Sequence, residues 1–178
     1  DLSGNVAKAK AAWDHAREAG SDMVALPEMF VTGYQLQDLV LKPAFIADVM
    51  AHIDALAAQC SDGPTIGIGG PFTEDGRLYN AYYILKDGRV QARMLKHFLP
   101  NFTVFDEVRL YNRGAIQGPY AVGDMRIGSP ICEDAWYVDV CEAMVESGAE
   151  MLMIPNGSPY YRNKFDVRMN HMVSRVIE

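Results

Sequence analysis

The chain has 178 residues, 49% of them hydrophobic, which is enough for one domain with a substantial core and too short for two of ordinary size. Its 16 Lys and Arg against 23 Asp and Glu give a net charge of -7, spread without blocks, which excludes an electrostatic grip on nucleic acid. No apolar run reaches the roughly 20 residues that span a bilayer, and Cys60, Cys132 and Cys141 form no CxxC pair or metal-like spacing, so a cytoplasmic protein without membrane segment, disulfide framework or metal site is expected.

The first element is an amphipathic helix in "SGNVAKAKAAWDHAREAG", with Ser3 or Asn5 as its N-cap, Val6, Ala9, Trp13 and Ala16 on one face, and Gly20 as terminator. "DMVALPE" follows as a short buried strand that Pro27 stops, leaving Glu28 at its carboxyl end. Helix returns at "KPAFIADVMAHIDALAAQC", where Pro43 takes the first helical position and Ile46, Val49, Ile53 and Leu56 share a face. "TIGIGGPF" is an apolar strand, and Asp75-Gly76 and Asp87-Gly88 bracket "RLYNAYYILK" and lead into "RVQARMLK". Asp-Gly supplies the positive φ of a tight turn, so this region is an antiparallel ribbon with Lys96 at its end. Gly67 to Gly70 lead into that ribbon and not into a helix, which excludes a phosphate loop.

"HFLPNFTVFDEVRLYNRG" has no clean period and reads as a long loop, the kind of segment in which binding residues concentrate. After it, "MRIGSPIC" is a strand, "YVDVCEAMVESGAE" a helix ended by Gly148, and "MLMIPNGSP" another buried strand ending in a polar turn. The chain opens on Asp1 just before a capped helix and closes inside the helical pattern of "NHMVSRVIE", so a piece of a longer chain is expected.

Cys132 falls at the carboxyl end of a strand just before a helix, where open α/β sheets place their chemistry. Its neighbours Glu133 and Asp134 oppose a thiolate, whereas the N–H groups of a helix start favour one. From the residues alone it is either a small core hydrophobe or a nucleophile, and Asp134 is suited to cap or orient the turn. Cys60 and Cys141 sit among apolar residues and read as core. A thiol nucleophile needs a base and, beside acids, a cation. His15 and His52 lie on helical faces, and nothing local pairs His97 or His171 with Cys132; Glu28 and Lys96, at the ends of separate strands, are the better candidates.

Glu28, Lys96 and Cys132 stand in the order of the Glu-Lys-Cys triad of the nitrilase (carbon-nitrogen hydrolase) superfamily. "LPEMFVTGYQLQDLVLKP", "KHFLPNFTVFDEVR" and "PICEDAW" closely resemble segments of the glutaminase domain of glutamine-dependent NAD synthetases, and "NGSPYYRNK" is similar to that family's glutamine-recognition turn. The resemblance implies a four-layer αββα sandwich with mixed sheets. Residues 1-178 would form a partial glutaminase domain, lacking its first strand, its C-terminal strands and the synthetase domain.

By the same resemblance Glu28 is the base, Cys132 the nucleophile that forms a thioester with glutamine, and Lys96 the cation beside the thiol and the oxyanion. Tyr34, Phe102, Glu133, Ser158 and Lys164 would bind substrate, Glu133 by charge suiting an α-ammonium and Lys164 an α-carboxylate. The hydrolysis would need no metal or organic cofactor; ATP and magnesium would belong to the absent synthetase domain, which receives the ammonia for nicotinic acid adenine dinucleotide, in a homo-oligomer. "RLYNRG" and Arg162 depart from the family pattern and touch only fine substrate contacts. A free-standing amidase of the superfamily and a catalytically idle regulatory or assembly module remain as other readings.

Overall fold

Helix α1, Leu2–Glu18, puts Ala9, Trp13 and Ala16 on its buried face in the computed structural model, which describes residues 1–177. Its cap is neither Ser3 nor Asn5. The Asp1 carboxylate accepts the Gly4 N–H at 2.9 Å, while Asn5 donates its amide to the Val31 carbonyl at 3.0 Å. Aspartate caps as well as serine, and the true start lies upstream of the residue that spacing alone selects.

Strand β1, Met23–Ala25, is shorter than expected, and helix α2, Pro43–Gln59, starts on its proline after a 3-10 turn at Gln37–Leu41. The ribbon forms β2, Thr65–Glu74, β3, Arg77–Lys86, and β4, Arg89–Leu95. Both of its turns have positive φ at the aspartate and at the glycine, the twist that suits antiparallel neighbours. The first sheet has the order β1-β2-β3-β4, with β1 parallel to β2 and the rest antiparallel. The Gly67–Gly70 stretch lies inside β2 and pairs with β3.

The long loop holds one short helix, α3, Glu107–Leu110. Strands β5, Tyr120–Val122, and β6, Met125–Gly128, pair antiparallel, and β7, Met151–Leu152, adds parallel to β6 as a second sheet. The sequence reading contains no β5, because three residues carry no period. Nor is β7 the buried strand expected over "MLMIPNGSP": it has two residues, and Met151 is exposed. A 3-10 turn at Cys132–Trp136 precedes helix α4, Val138–Glu146, and helix α5 runs over Lys164–Ile177.

Alternation along β3 builds the layers. Tyr79, Ala81, Tyr83 and Leu85 pack with Trp13, Ile53 and Leu56 of α1 and α2, while Tyr82 and Ile84 face Tyr120, Ile127, Ile131 and Cys132 beside the second sheet. With the Val140, Cys141 and Met144 face of α4 buried, this is a four-layer αββα arrangement with mixed sheets. Among the described residues no helix is long and apolar enough to cross a membrane.

The first sheet fixes the end of β1 by contact. Gly69 donates to the Pro27 carbonyl at 3.2 Å and accepts the Val31 N–H at 3.1 Å, and a Cβ at Gly69 would lie 2.2 Å from the Met29 nitrogen. Backbone cannot swing aside as a flexible side chain can. Gly69→Ala is therefore expected to cost about 1–3 kcal/mol by overpacking and to lower the thermal unfolding midpoint. An unchanged midpoint would show that β2 does not hold the Glu28 segment.

Candidate active site

The carboxyl ends of β1, β4 and β6 converge, and each carries one candidate residue a short step beyond: Glu28, Lys96 and Cys132. None is a solvated strand-end group. Glu28 is 3% exposed, Lys96 0% and Cys132 3%. A buried ammonium needs compensating charge. Lys96 Nζ finds it in Glu28 Oε1 at 2.7 Å and Glu107 Oε1 at 2.9 Å. Burial pulls the lysine down, but the two carboxylates overrule it and hold Lys96 above its ordinary range, fully charged.

Glu28 is held by more than charge. Asn80, on the β3 face shared by Tyr82 and Ile84, donates its amide to Oε1 at 2.9 Å, and the Gly157 N–H donates to Oε2 at 2.8 Å. Gly157 must be glycine to come so close, since a Cβ there would lie 2.2 Å from the Tyr34 ring. The recognition-like turn therefore touches the candidate base directly.

Glu107 is the residue that sequence reasoning missed. It is buried at the start of α3, accepts the Tyr34 hydroxyl as well as Lys96, and burial raises its carboxyl above the usual carboxylate range, with Lys96 opposing. Its signal lay in the "FDE" of the quoted loop segment, but the loop has no period to show which of those residues turns inward.

Cys132 has φ of +50°, uncommon for a residue with a side chain, in a five-residue 3-10 turn. The expected help from a helix start does not appear as a lowered thiol. Burial first, and the Glu28 charge second, push it up to about 12, with the Lys96 charge and then the Gly157 N–H opposing. The α-helix begins only at Val138, and the turn is too short to carry much dipole. The Glu28 carboxylate is thus close enough for its charge to act on the thiol. At rest, then, Cys132 is a thiol with a candidate base nearby.

Asp134 does cap its turn, taking the Ile131 N–H at 3.0 Å. Glu133 is buried, and burial raises its carboxyl while Lys96 and then Lys164 oppose. Lys164 is also buried, at the start of α5, with Nζ 4.6 Å from the Tyr161 ring centre and 5.6 Å from that of Trp136. Burial first, and Arg168 second, lower it. Phe102 is 53% exposed and meets Phe105 edge to face, as Phe105 meets Tyr34, so the two expected aromatic residues are joined through a third. Ser158 is half-buried beside Gly157. The histidines stay away from the thiol's chemistry: His97 bonds the Gly114 carbonyl and Arg113, and His171 stacks on Trp136.

A cavity of about 250 Å³ lies against Tyr34, Asn80, Glu107 and Tyr111, and Cys132 is not among its lining residues. Among the described residues no group of three His, Cys, Asp or Glu side chains gathers as a metal site. The arrangement can thus deprotonate a thiol, steady an adjacent oxyanion with an ammonium, and meet a zwitterion with Glu133 and Lys164.

A family model described as carbon-nitrogen hydrolase matches residues 1–176. The chain is 56% identical over 177 residues to a glutamine-dependent NAD(+) synthetase of Rhodobacter capsulatus, covering 99% of this chain and 32% of that protein. With the enzyme of that name from Aquifex aeolicus it shares 34% identity over 177 residues, covering 98% and 31%. The chain therefore spans about a third of the length of the curated relatives it matches. Among solved structures it resembles the glutamine-dependent NAD+ synthetase of Acinetobacter baumannii with a TM-score of 0.91 and 28% identity, covering 98% of this chain and 33% of that one. A nitrilase-superfamily amidase of Nesterenkonia AN1 shares the fold, with a TM-score of 0.82, 18% identity and coverage of 98% and 66%.

Removing one member of the buried charge group tests its cohesion. Lys96→Met leaves Glu107 without the charge that opposes its upward shift and is expected to cost about 3–5 kcal/mol near neutral pH. A carboxyl raised above its unfolded value stabilises the fold below that value and loses the contribution as pH rises through its folded one. The deficit should accordingly shrink as pH falls from 7 toward 5 in thermal unfolding. A pH-independent deficit would show that Lys96 matters for packing alone.

Proposed function

Because the chain belongs to the carbon-nitrogen hydrolase family, we propose that it is the glutaminase part of a glutamine-dependent NAD synthetase, freeing ammonia from L-glutamine through Glu28, Lys96 and Cys132. The observation that carries this reading is the pairing at 2.7 Å of Glu28 with a fully buried Lys96, beside a buried Cys132 whose thiol feels the Glu28 charge. Full-length relatives named for glutamine and NAD support the substrate and the synthetase destination.

Glu28 takes the thiol proton as the sulfur attacks the carboxamide carbon. A resting thiol near 12 makes this transfer part of the reaction and not a prior equilibrium. The oxyanion forms beside Lys96 Nζ and the Glu133 N–H, and one such donor is worth roughly 3 kcal/mol of barrier. The tetrahedral adduct collapses, the nitrogen takes the proton back from Glu28 and leaves as ammonia, and a thioester remains. Water, giving a proton to Glu28, then attacks the thioester, and glutamate and the thiol are released.

Glu133 meets the α-ammonium of glutamine and Lys164 its α-carboxylate, with Ser158 in the turn between; Tyr34 and Phe102 enclose the aliphatic stem. Lys164, lowered by burial and lying against the Tyr161 and Trp136 rings, is a cation suited to an anionic ligand group. The hydrolysis uses no metal or organic cofactor; ATP and magnesium act on the synthetase domain, where the ammonia is used on nicotinic acid adenine dinucleotide. The reaction belongs in the cytoplasm, in line with the absence of disulfides among the described residues, and in a homo-oligomer of the full chain.

Ammonia release from glutamine and a panel of simple amides tests the substrate. Glutamine is expected to lead, and preference for a small aliphatic amide would move the chain to the free-standing amidases. Cys132→Ala should abolish turnover and labelling by a glutamine-like electrophile while the fold survives. Wild-type protein that is folded yet unlabelled would make the triad idle.

A further inference from the structure

Asp134 does more than cap its own turn. Its Oδ2 accepts the Ile131 N–H at 3.0 Å, which completes the cap, but its Oδ1 reaches a different part of the chain and accepts the His97 N–H at 3.1 Å and the Phe98 N–H at 2.7 Å. Ile131 directly precedes Cys132, and His97 directly follows Lys96. One carboxylate thus binds both segments, 36 residues apart in sequence, that carry the thiol and the ammonium.

We propose that Asp134 is a positioning residue that sets the separation of Lys96 from Cys132 by holding their two backbone segments together.

The chemistry favours a carboxylate here over any other cap. Asp134 is 2% exposed and takes only backbone donors. Asp134 sits at the third position of the turn and reaches back to the Ile131 N–H as the acidic partner of a capping box does. A carboxylate offers two acceptor oxygens and no donor, so one oxygen can take the 97 and 98 N–H groups while the other takes that of Ile131. Other bonds anchor each segment to neighbouring strands, the Lys96 N–H to the Asn80 carbonyl at 2.9 Å and the Cys132 N–H to the Pro155 carbonyl at 3.0 Å, and beyond Asp134 the Phe98 and Tyr137 rings also meet, 4.4 Å between centroids. Burial pushes the Asp134 carboxyl up to about 6 against the pull of these backbone donors, so at neutral pH the ionised, doubly accepting form prevails.

The proposal rests on the reading of Cys132 as a nucleophile assisted by Lys96. Its test compares wild type, Asp134→Asn and, as a core-destabilised control on α2, Val49→Ala, all in the full-length protein. Asp134→Asn keeps one acceptor oxygen and turns an amide donor toward either the Ile131 N–H or the N–H groups of 97 and 98, so that one of the two segments is released. It is expected to lower kcat on glutamine by about 10²-fold, the scale of an ångström-sized misplacement, with KM little changed. Alkylation of Cys132 by iodoacetamide should slow, and amide exchange should quicken in one of the two peptides, over 96–99 or over 129–133, whichever faces the amide. Val49→Ala should be less stable with wild-type kcat. Wild-type kcat and alkylation in Asp134→Asn, or a change confined to KM, would overturn the proposal. If Asp134→Asn does not fold, Asp134→Ser, which can still cap, is held to the same outcomes. Wild-type protein that alkylates at Cys132 but does not hydrolyse glutamine would sink the glutaminase reading alone, because the alkylation and exchange comparisons still decide the role of Asp134.

Discussion

A single buried ammonium organises the site. Lys96 has no exposed surface, and an unpaired charge in that position would cost several kcal/mol. The fold is therefore obliged to bring carboxylates to it, and Glu28 and Glu107 arrive from the end of β1 and the start of α3. The dependence runs both ways, since two carboxylates on one ammonium would repel each other without it. Asn80 and Gly157 finish the coordination of Glu28, so β3 and the turn after β7 are drawn into the same constraint. Five separate chain segments meet because one lysine has nowhere else to discharge its field.

Around that charge the backbone is held in conformations it would not choose. Met29, Cys132 and Asn163 all have positive φ, and each is a candidate residue or adjoins one: Glu28, Cys132 itself and Lys164. Such conformations cost of order 1–3 kcal/mol each and persist where the surroundings over-determine them. Here the surroundings are two packed sheets, with Gly69 seated against the Glu28–Met29 backbone and Ile131 and Cys132 buried against Tyr82 and Ile84. A thiol held protonated by burial can still be ready, because a candidate base lies near enough for its charge to act on it.

Legibility followed chemistry at the strand ends and failed in the irregular segments. Glu28 and Lys96 could be picked out because Pro27 and the Asp-Gly turns mark where their strands stop. Glu107 could not, because a four-residue helix inside an aperiodic loop leaves no pattern. The Asp1 cap and the three-residue β5 were missed for similar local reasons. The sequence places Cys132 at a turn but leaves its electrostatics open between acidic neighbours and a helix start; a short 3-10 turn stands there, and burial dominates. Asp134 was read as a cap, and its second oxygen, bound to 97 and 98, was invisible because nothing local connects those positions.

The sequence by itself determined the alternation of helices and strands, the ribbon with its two tight turns, and the three strand-end residues on which the chemistry is read. These are local: period, turn residues and proline act within a few positions. Only the tertiary structure decided that Lys96 is buried, that Glu107 joins it, that the Cys132 thiol is raised, and that Asp134 spans two segments. Those outcomes depend on distances between parts of the chain 11 or more residues apart, and desolvation and charge pairing act through space once the two sheets have packed.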